Sequence, residues 1–244
     1  MNAYEKYYAA AREQLEKVYR TQRGAIEQAA TWLGEALVKD RWLYAFGTGH
    51  SHMLAEEIFY RAGGLARASP VLEDLLMLHK EAIEATYLER REGYAAELLK
   101  QYPMEGGDVL IVASNSGRNA VPIELAMGGT QRGMKVVVIT NLAHTRAWPS
   151  RHSSGKKLAD VGDVVIDNCG VHGDACLELP GIPAAIGPTS SITGMFIVNA
   201  IVAQGIENAL SRGVAPEIYI SSNSNGDEHN DKLLRKYKSR IRHL

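Results

Sequence analysis

Apolar and polar positions follow two different periods along the chain. From residue 4 to residue 38, apolar or small side chains recur at Tyr4, Tyr8, Ala11, Leu15, Val18, Ile26, Ala29, Leu33 and Leu37. Steps of three and four place them on one stripe of a helix, interrupted at Gln22 and bent near Gly24. So long a stripe must be buried, either on the domain itself or on a second subunit. Beyond residue 40 the pattern changes to short apolar runs, each followed by a turn. Residues 42–46 lead into Gly47-Thr48-Gly49-His50-Ser51 and a helix reaching 61–64. Residues 109–113 lead into Ser114-Asn115-Ser116-Gly117 and a helix over 119–132. Residues 136–140 lead into Asn141 and a basic loop, residues 164–167 into another loop, and a weaker strand covers 66–70. The runs are continuous rather than alternating, which predicts strands buried on both faces of a parallel sheet covered by helices. An apolar helix over 190–210 packs on that sheet. An extended piece at 217–221, a polar turn and a basic amphipathic helix over 231–242 close the chain. No internal repeat or low-complexity linker intervenes. The expectation is one α/β domain, with a helical extension over 1–40, a core over 41–212 and a tail over 213–244.

Composition narrows the function. The 244 residues carry 27 Lys+Arg against 28 Asp+Glu, a net charge of -1. A field so nearly balanced argues against a surface built for nucleic acid or for an anionic membrane. The final helix has a basic face (Lys232, Arg235, Lys236, Arg240, Arg242), but no helix-turn-helix or RNA-binding pattern precedes it, so a solvated or subunit-contacting face is expected. The two cysteines, Cys169 and Cys176, have neither redox-pair nor zinc-knuckle spacing, which suits a reducing cytoplasm. The first six residues lack the apolar run of a signal peptide. The most apolar stretch, 192–206, is broken by Thr193, Asn199 and Gln204 and is shorter than the roughly 20 residues of a membrane span. A cytoplasmic protein with no membrane partner is the expectation.

Candidate chemistry lies beyond the carboxyl ends of the predicted strands, where loops converge with helix N-termini. In the first loop, Gly47 and Gly49 allow close backbone approach, beside Thr48, His50 and Ser51. In the second, Ser114, Asn115, Ser116 and Asn119 surround the turn at Gly117. Short hydroxyl and amide side chains of this kind either cap helices or hold an anion. Two such loops on neighbouring strands favour a ligand site. The third glycine of a dinucleotide fingerprint would fall at His52, and no Gly-Lys-Ser/Thr follows as in a Walker loop. The site is suited to one phosphate on a small molecule rather than to a nucleotide.

These residues resemble the sugar isomerase (SIS) domain family. Gly47-Thr48-Gly49-His50-Ser51, with Arg61 and Gly64 after it, is similar to the family's first motif, and Ser114-Asn115-Ser116-Gly117 to its Ser-x-Ser-Gly phosphate loop. Gly187-Pro188-Thr189-Ser190-Ser191 resembles the turn opening its last core helix. Among members, the chain most resembles small stand-alone, phosphoheptose-isomerase-like SIS proteins, which share residues 149–157 and 221–230. The resemblance implies a flavodoxin-like α/β/α sandwich with five parallel strands. It also implies a sugar phosphate held by Ser51, Ser114, Ser116 and Asn119, although the family usually has Thr or Ser at the last of these positions. Members include aldose–ketose isomerases of phosphosugars, the isomerase domain of glucosamine-phosphate synthase, a phosphosugar etherase and sugar-phosphate sensors, so the ligand class is implied more firmly than the reaction: an aldose–ketose isomerase is expected, with a non-catalytic sensor or an amino-sugar-phosphate etherase or deaminase as the alternatives. A homodimer or homotetramer is expected.

An aldose–ketose isomerase needs a base and a donor to the carbonyl oxygen. His52, Glu56 and Glu57 follow the first loop; His52 and Glu56 share a helix face at i,i+4. Glu57 or Glu56 is the expected base, with His52 or His50 as donor, against the alternative of an exposed ion pair and a solvated acid. Phosphoheptose isomerases carry His and Glu where this chain has Glu57 and Arg61, so their mechanism does not transfer directly. No cofactor is expected, although His50, His52 and Glu56 could supply three metal ligands. His172, Asp174 and Glu178 follow the last predicted strand, and His229 lies in a polar tail segment. Arg146, Arg151, His152, Lys156 and Lys157 form either a soluble basic loop or a flap bringing cations to phosphate.

Overall fold

The computed structural model describes residues 1–244. Five strands, β1 (Leu43–Gly47), β2 (Ala68–Val71), β3 (Val109–Ala113), β4 (Lys135–Thr140) and β5 (Val164–Asp167), form one parallel sheet in the order β2-β1-β3-β4-β5. The helices are α1 (Ala3–Thr21), α2 (Arg23–Val38), α3 (Met53–Glu57), α4 (Leu78–Leu88), α5 (Tyr94–Gln101), α6 (Ala120–Gln131), α7 (Leu142–Ala147), α8 (Ser190–Leu210) and α9 (Asp227–Tyr237). An antiparallel hairpin, β6 (Ala175–Leu177) and β7 (Ile186–Pro188), stands apart from the sheet.

Continuous apolar runs are required here because successive strand side chains point to opposite faces. Leu43, Ala45, Val109, Ile111, Val137, Ile139 and Ile166 enter one core with Leu33 of α2, Leu54 of α3 and Ile197 and Ile201 of α8. Tyr44, Phe46, Leu110, Val112, Val136 and Val138 enter a second with Leu98 of α5, Ile123 and Leu125 of α6 and Leu233 of α9. Each fully buried aliphatic or aromatic side chain contributes about 1.5–3 kcal/mol. Helices on both faces of one parallel sheet make the expected three-layer α/β/α sandwich.

The details depart from the sequence pattern in several places. The stripe over 4–38 is interrupted at Gln22 as expected, but the interruption divides it into two separate helices, and Gln22 Oε1 accepts from the Asp167 backbone N–H at 3.0 Å. That break ties the N-terminal helices to the exit of β5. The helix expected to reach 61–64 is instead a 3-10 turn, Gly49–His52, followed by the five residues of α3. The chain then turns through Tyr60 at φ +41° before β2. The C-terminal helix starts at Asp227, ahead of the expected 231. The extended piece at 217–221 runs antiparallel to the segment before β2, with Ala66 N–H donating to Glu217 O and Tyr219 N–H to Gly64 O, both at 2.9 Å. Helices α4, α5 and α7 and the β6–β7 hairpin were not foreshadowed by the pattern. No helix is long and apolar enough to cross a membrane.

Candidate functional site

The strand order reverses direction between β1 and β3, and in sheets of this 2-1-3-4-5 order the crevice outside the carboxyl ends at that reversal is where ligands bind. A cleft of about 490 Å³ opens there. Thr48, Gly49, His50 and Ser51 from the loop after β1 line one wall, and Ser114, Asn115, Ser116 and Asn119 from the loop after β3 line the other. A narrower recess of about 20 Å³ between them is bounded by His50, Ser51, Ser114, Asn115, Ser190 and Ser191, among others. Gly47 does not line the cleft, but it makes the first turn possible. A Cβ there would stand 2.3 Å from Ser51 O, so any side chain would push the turn open. Gly117 serves the second turn: its φ is +61°, and a Cβ would lie 2.8 Å from Thr140 Oγ1.

The second loop is held in place by its neighbours. Ser114 N–H donates to Ile139 O at 3.0 Å, Thr140 Oγ1 donates to Ser114 O at 2.7 Å, and Thr145 Oγ1 of α7 donates to Ser116 O at 2.9 Å. Asn168 Nδ2, at the exit of β5, donates to Asn115 Oδ1 at 2.8 Å, while Gln14 of α1 donates to Asn168 O at 2.8 Å. The backbone is therefore committed to the scaffold, and no hydrogen bond within the chain engages the hydroxyls of Ser51, Ser116 or Ser191.

Two carboxylates face this cleft, and neither was singled out from the sequence as a base. Glu89, just past α4, accepts from Thr48 Oγ1 and from Asn119 Nδ2, both at 2.6 Å, so one side chain joins the two loops. Burial pushes its pKa above the ordinary glutamate value, with the Thr48 hydrogen bond and the charges of Arg90 and Arg151 opposing that shift. Asn119 Oδ1 in turn accepts from Arg151 at 3.0 Å. Asp174 accepts from Thr189 N–H (3.1 Å), Ser190 N–H (2.9 Å) and Ser190 Oγ (2.6 Å), capping α8 at the cleft wall. His144 also lines the cleft. Burial and the neighbouring His172 and Arg118 charges lower its pKa, so the ring is neutral near pH 7. Because Gly173 N–H donates to its Nδ1 at 3.0 Å, the neutral ring carries its proton on Nε2. No lysine or arginine lines the cleft.

The other residues considered from the sequence fall in several places. His52, Glu56 and Glu57 do not line the cleft. His52 Nδ1 contacts Gly49 O, and its Nε2 lies 3.4 Å from Glu56. Glu57 pairs with Arg61 and accepts from Asn199 at 2.8 Å. The ligand atoms of His50, His52 and Glu56 do not gather as a metal-binding group. His172 accepts from Trp148 Nε1 at 3.0 Å, and His229 contacts Ile218 O; neither lines the cleft, nor does Glu178. In the basic loop only Arg151 reaches a cleft residue. Lys157 Nζ donates to Thr145 O at 2.6 Å, and Arg146 borders a separate cavity. Glu89 was missed because it sits in the charged run Glu89-Arg90-Arg91-Glu92, which reads locally as a solvated loop. Its position after Thr48 and Asn119 have been brought together is a property of the fold.

Fold and cleft together define a class. The SIS domain family description matches residues 6–141, more than half the chain, and the protein belongs to that family. Among relatives, the UPF0309 protein lin2794 of Listeria innocua is 43% identical over 228 residues, covering 93% of this chain and 92% of its own length. The UPF0309 protein TTE0306 of Caldanaerobacter subterraneus is 43% identical over 236 residues, covering 95% and 96%. Among solved structures, phosphoheptose isomerase from Francisella tularensis superposes with a TM-score of 0.52 at 16% identity, covering 85% of this chain and 100% of its own. The Vibrio vulnificus NanR protein complexed with ManNAc-6P gives 0.50 at 14% identity, covering 96% of this chain and 69% of its own. At such identities these two share the fold.

Proposed function

We propose that the cleft binds a phosphorylated sugar and interconverts its aldose and ketose forms. One observation carries this reading: Glu89, a partly buried carboxylate with a raised pKa, bridges the two hydroxyl-bearing loops at the strand-order reversal. Ser51 and Ser116, whose hydroxyls are free, Ser114, whose Oγ accepts from Gly117 N–H and keeps its proton to donate, and the neighbouring backbone hold the phosphate, a dianion that suits O–H and N–H donors. Glu89 removes the proton from the carbon next to the carbonyl and returns it to the adjacent carbon. The neutral His144 donates its Nε2 proton toward the carbonyl oxygen, stabilising an enediol. No metal is required for these steps. Glu56, Glu57 and His52 lie outside the cleft and are assigned no proton transfer.

A second reading has its own support. Both oxygens of Glu89 already accept hydrogen bonds, an arrangement equally suited to a staple in a sugar-phosphate sensor without turnover. A thermal-shift screen against phosphorylated hexoses, heptoses, pentoses and amino sugars identifies the ligand, since binding to the folded state raises its apparent stability. Turnover of that ligand, followed by proton exchange with solvent, decides between the readings. Isomerisation lost in Glu89→Gln but kept in Glu56→Gln/Glu57→Gln supports the first. Binding with no exchange in the wild type supports the sensor. Loss of exchange in the Glu56/Glu57 double variant instead would return the base to α3.

A further inference from the structure

Behind the Glu89–Asn119–Arg151 row lies a second row, formed by Glu92, Glu124 and His152. One ligand atom from each lies within 4.8 Å of the other two. His152 Nε2 stands 3.4 Å from Glu124 Oε1 and 4.0 Å from Glu92 Oε2, yet it makes no hydrogen bond. Its side chain is only 10% exposed, so an imidazole nitrogen faces the gap between two carboxylates with no donor–acceptor geometry to either. Neither carboxylate is paired with a lysine or arginine; each has only His152 as a charged partner. The outer contacts fix the set from behind. Gly93 N–H donates to both oxygens of Glu124 at 2.8 and 2.9 Å, and Ser153 donates to Glu92 through N–H and Oγ at 2.6 and 2.7 Å. Ser154 Oγ lies 2.7 Å from His152 Nδ1. Ser154 N–H also donates to Nδ1, at 3.2 Å, which puts the neutral ring's proton on Nε2, where a bound ion would displace it.

We propose that Glu92, Glu124 and His152 bind a divalent first-row transition ion, outside the sugar-phosphate cleft. One imidazole and two carboxylates suit Mn²⁺, Fe²⁺, Co²⁺ or Zn²⁺ better than Mg²⁺ or Ca²⁺, which favour oxygen-only sets. Donors about 2.0–2.2 Å from one ion stand about 3–3.5 Å apart, so the 3.4 Å pair needs no movement. The half-exposed Glu92 closes the remaining gap by rotation. The three ligands come from the segment after α4, from α6 and from the loop after α7. Next to each of them in the chain stands one member of the bonded row at the cleft: Glu89, the α6 N-cap Asn119, and Arg151, which reaches the cleft through Asn119. A bound ion rivets those three segments and holds the row in register.

The experiment uses the full chain, stripped with a chelator and titrated with Co²⁺ while visible absorption is recorded. The expected result is saturable uptake of one ion per chain, with absorption bands of imidazole- and carboxylate-bound cobalt and a rise in the melting temperature. His152→Gln and Glu124→Gln are each expected to weaken uptake by more than the ~10–100-fold that loss of an outer contact costs. Circular dichroism verifies that they fold, and Glu92→Gln, at the most exposed of the three positions, serves if either does not. His50→Ala and His144→Ala keep wild-type uptake. No saturable uptake, or uptake unchanged in all three ligand variants, overturns the proposal. So does uptake abolished by the cleft-histidine variants alone, which would place the ion in the cleft.

Discussion

The two ends of the parallel sheet treat polar groups in opposite ways. At the amino ends of the strands three carboxylates find their partners within the chain. Asp108, fully buried, accepts from Trp42 N–H at 3.0 Å and Glu105 N–H at 2.9 Å. Glu105 pairs with Arg41 and Arg240, and Glu217 pairs with Lys236 and receives the Tyr237 hydroxyl. At the carboxyl ends, the hydroxyls of Ser51, Ser116 and Ser191 make no hydrogen bond within the chain, and the partly buried Glu89 is held by Thr48 and Asn119 with no cation bonded to it. The first arrangement closes the fold on itself, and the second leaves bonding capacity for another molecule. A polar group satisfied internally contributes to stability, whereas one left open at a structured edge is available for recognition.

The largest expected effect on this contrast is at Glu89. Glu89→Gln should lower the isomerisation rate about 10²–10⁴-fold, measured as kcat, because a general base is lost. Next, Ser114→Ala combined with Ser116→Ala should weaken ligand binding about 100-fold by removing charge-assisted hydrogen bonds, read from Kd or KM. Unchanged affinity there would refute the phosphate assignment. At the opposite edge, Asp108→Asn should cost about 1–3 kcal/mol in urea unfolding by stranding a buried N–H, while the folded variant keeps wild-type affinity. A loss of affinity in folded Asp108→Asn would break the separation of the two ends. The smallest effect concerns pH. Burial holds the Glu89 pKa above the ordinary glutamate value, so activity should fall on the acid side at a higher pH than for an exposed glutamate. The Thr48 hydrogen bond lowers that pKa, so Thr48→Val should move the acid limb further upward; a downward shift would contradict the assignment.

Much of this was legible in the sequence where local pattern and fold agree. The runs ending at Phe46, Ala113 and Thr140 are buried on both faces and the edge run ending at Asp167 partly so, which is why their apolar continuity marked the strands and the polar loops after them marked the cleft. Helix α8 coincides with the expected 190–210 because its apolar residues pack on the sheet. Helix α4 was invisible for the opposite reason. Only Ala85 on it is buried, Ile83 and Tyr87 are exposed, and Glu81 departs from helical geometry, so no stripe could form. The helix after the first loop was overextended because Tyr60 takes a positive φ that its residue type does not advertise. Asp174 was noted for its place after the last strand, but its role in capping α8 depends on a contact 16 residues away.

The link between α1 and the far end of the chain bears on how the protein is made. Tyr7 donates to Pro188 O at 2.7 Å, Gln14 to Asn168 O, and Gln22 receives the Asp167 N–H. Their partners leave the ribosome more than 140 positions after them. Throughout that interval α1 has α2 beside it but not the partners of these three bonds, and the domain is finished only when residues 167–188 arrive. Contacts spanning such sequence distances slow the search for the native state.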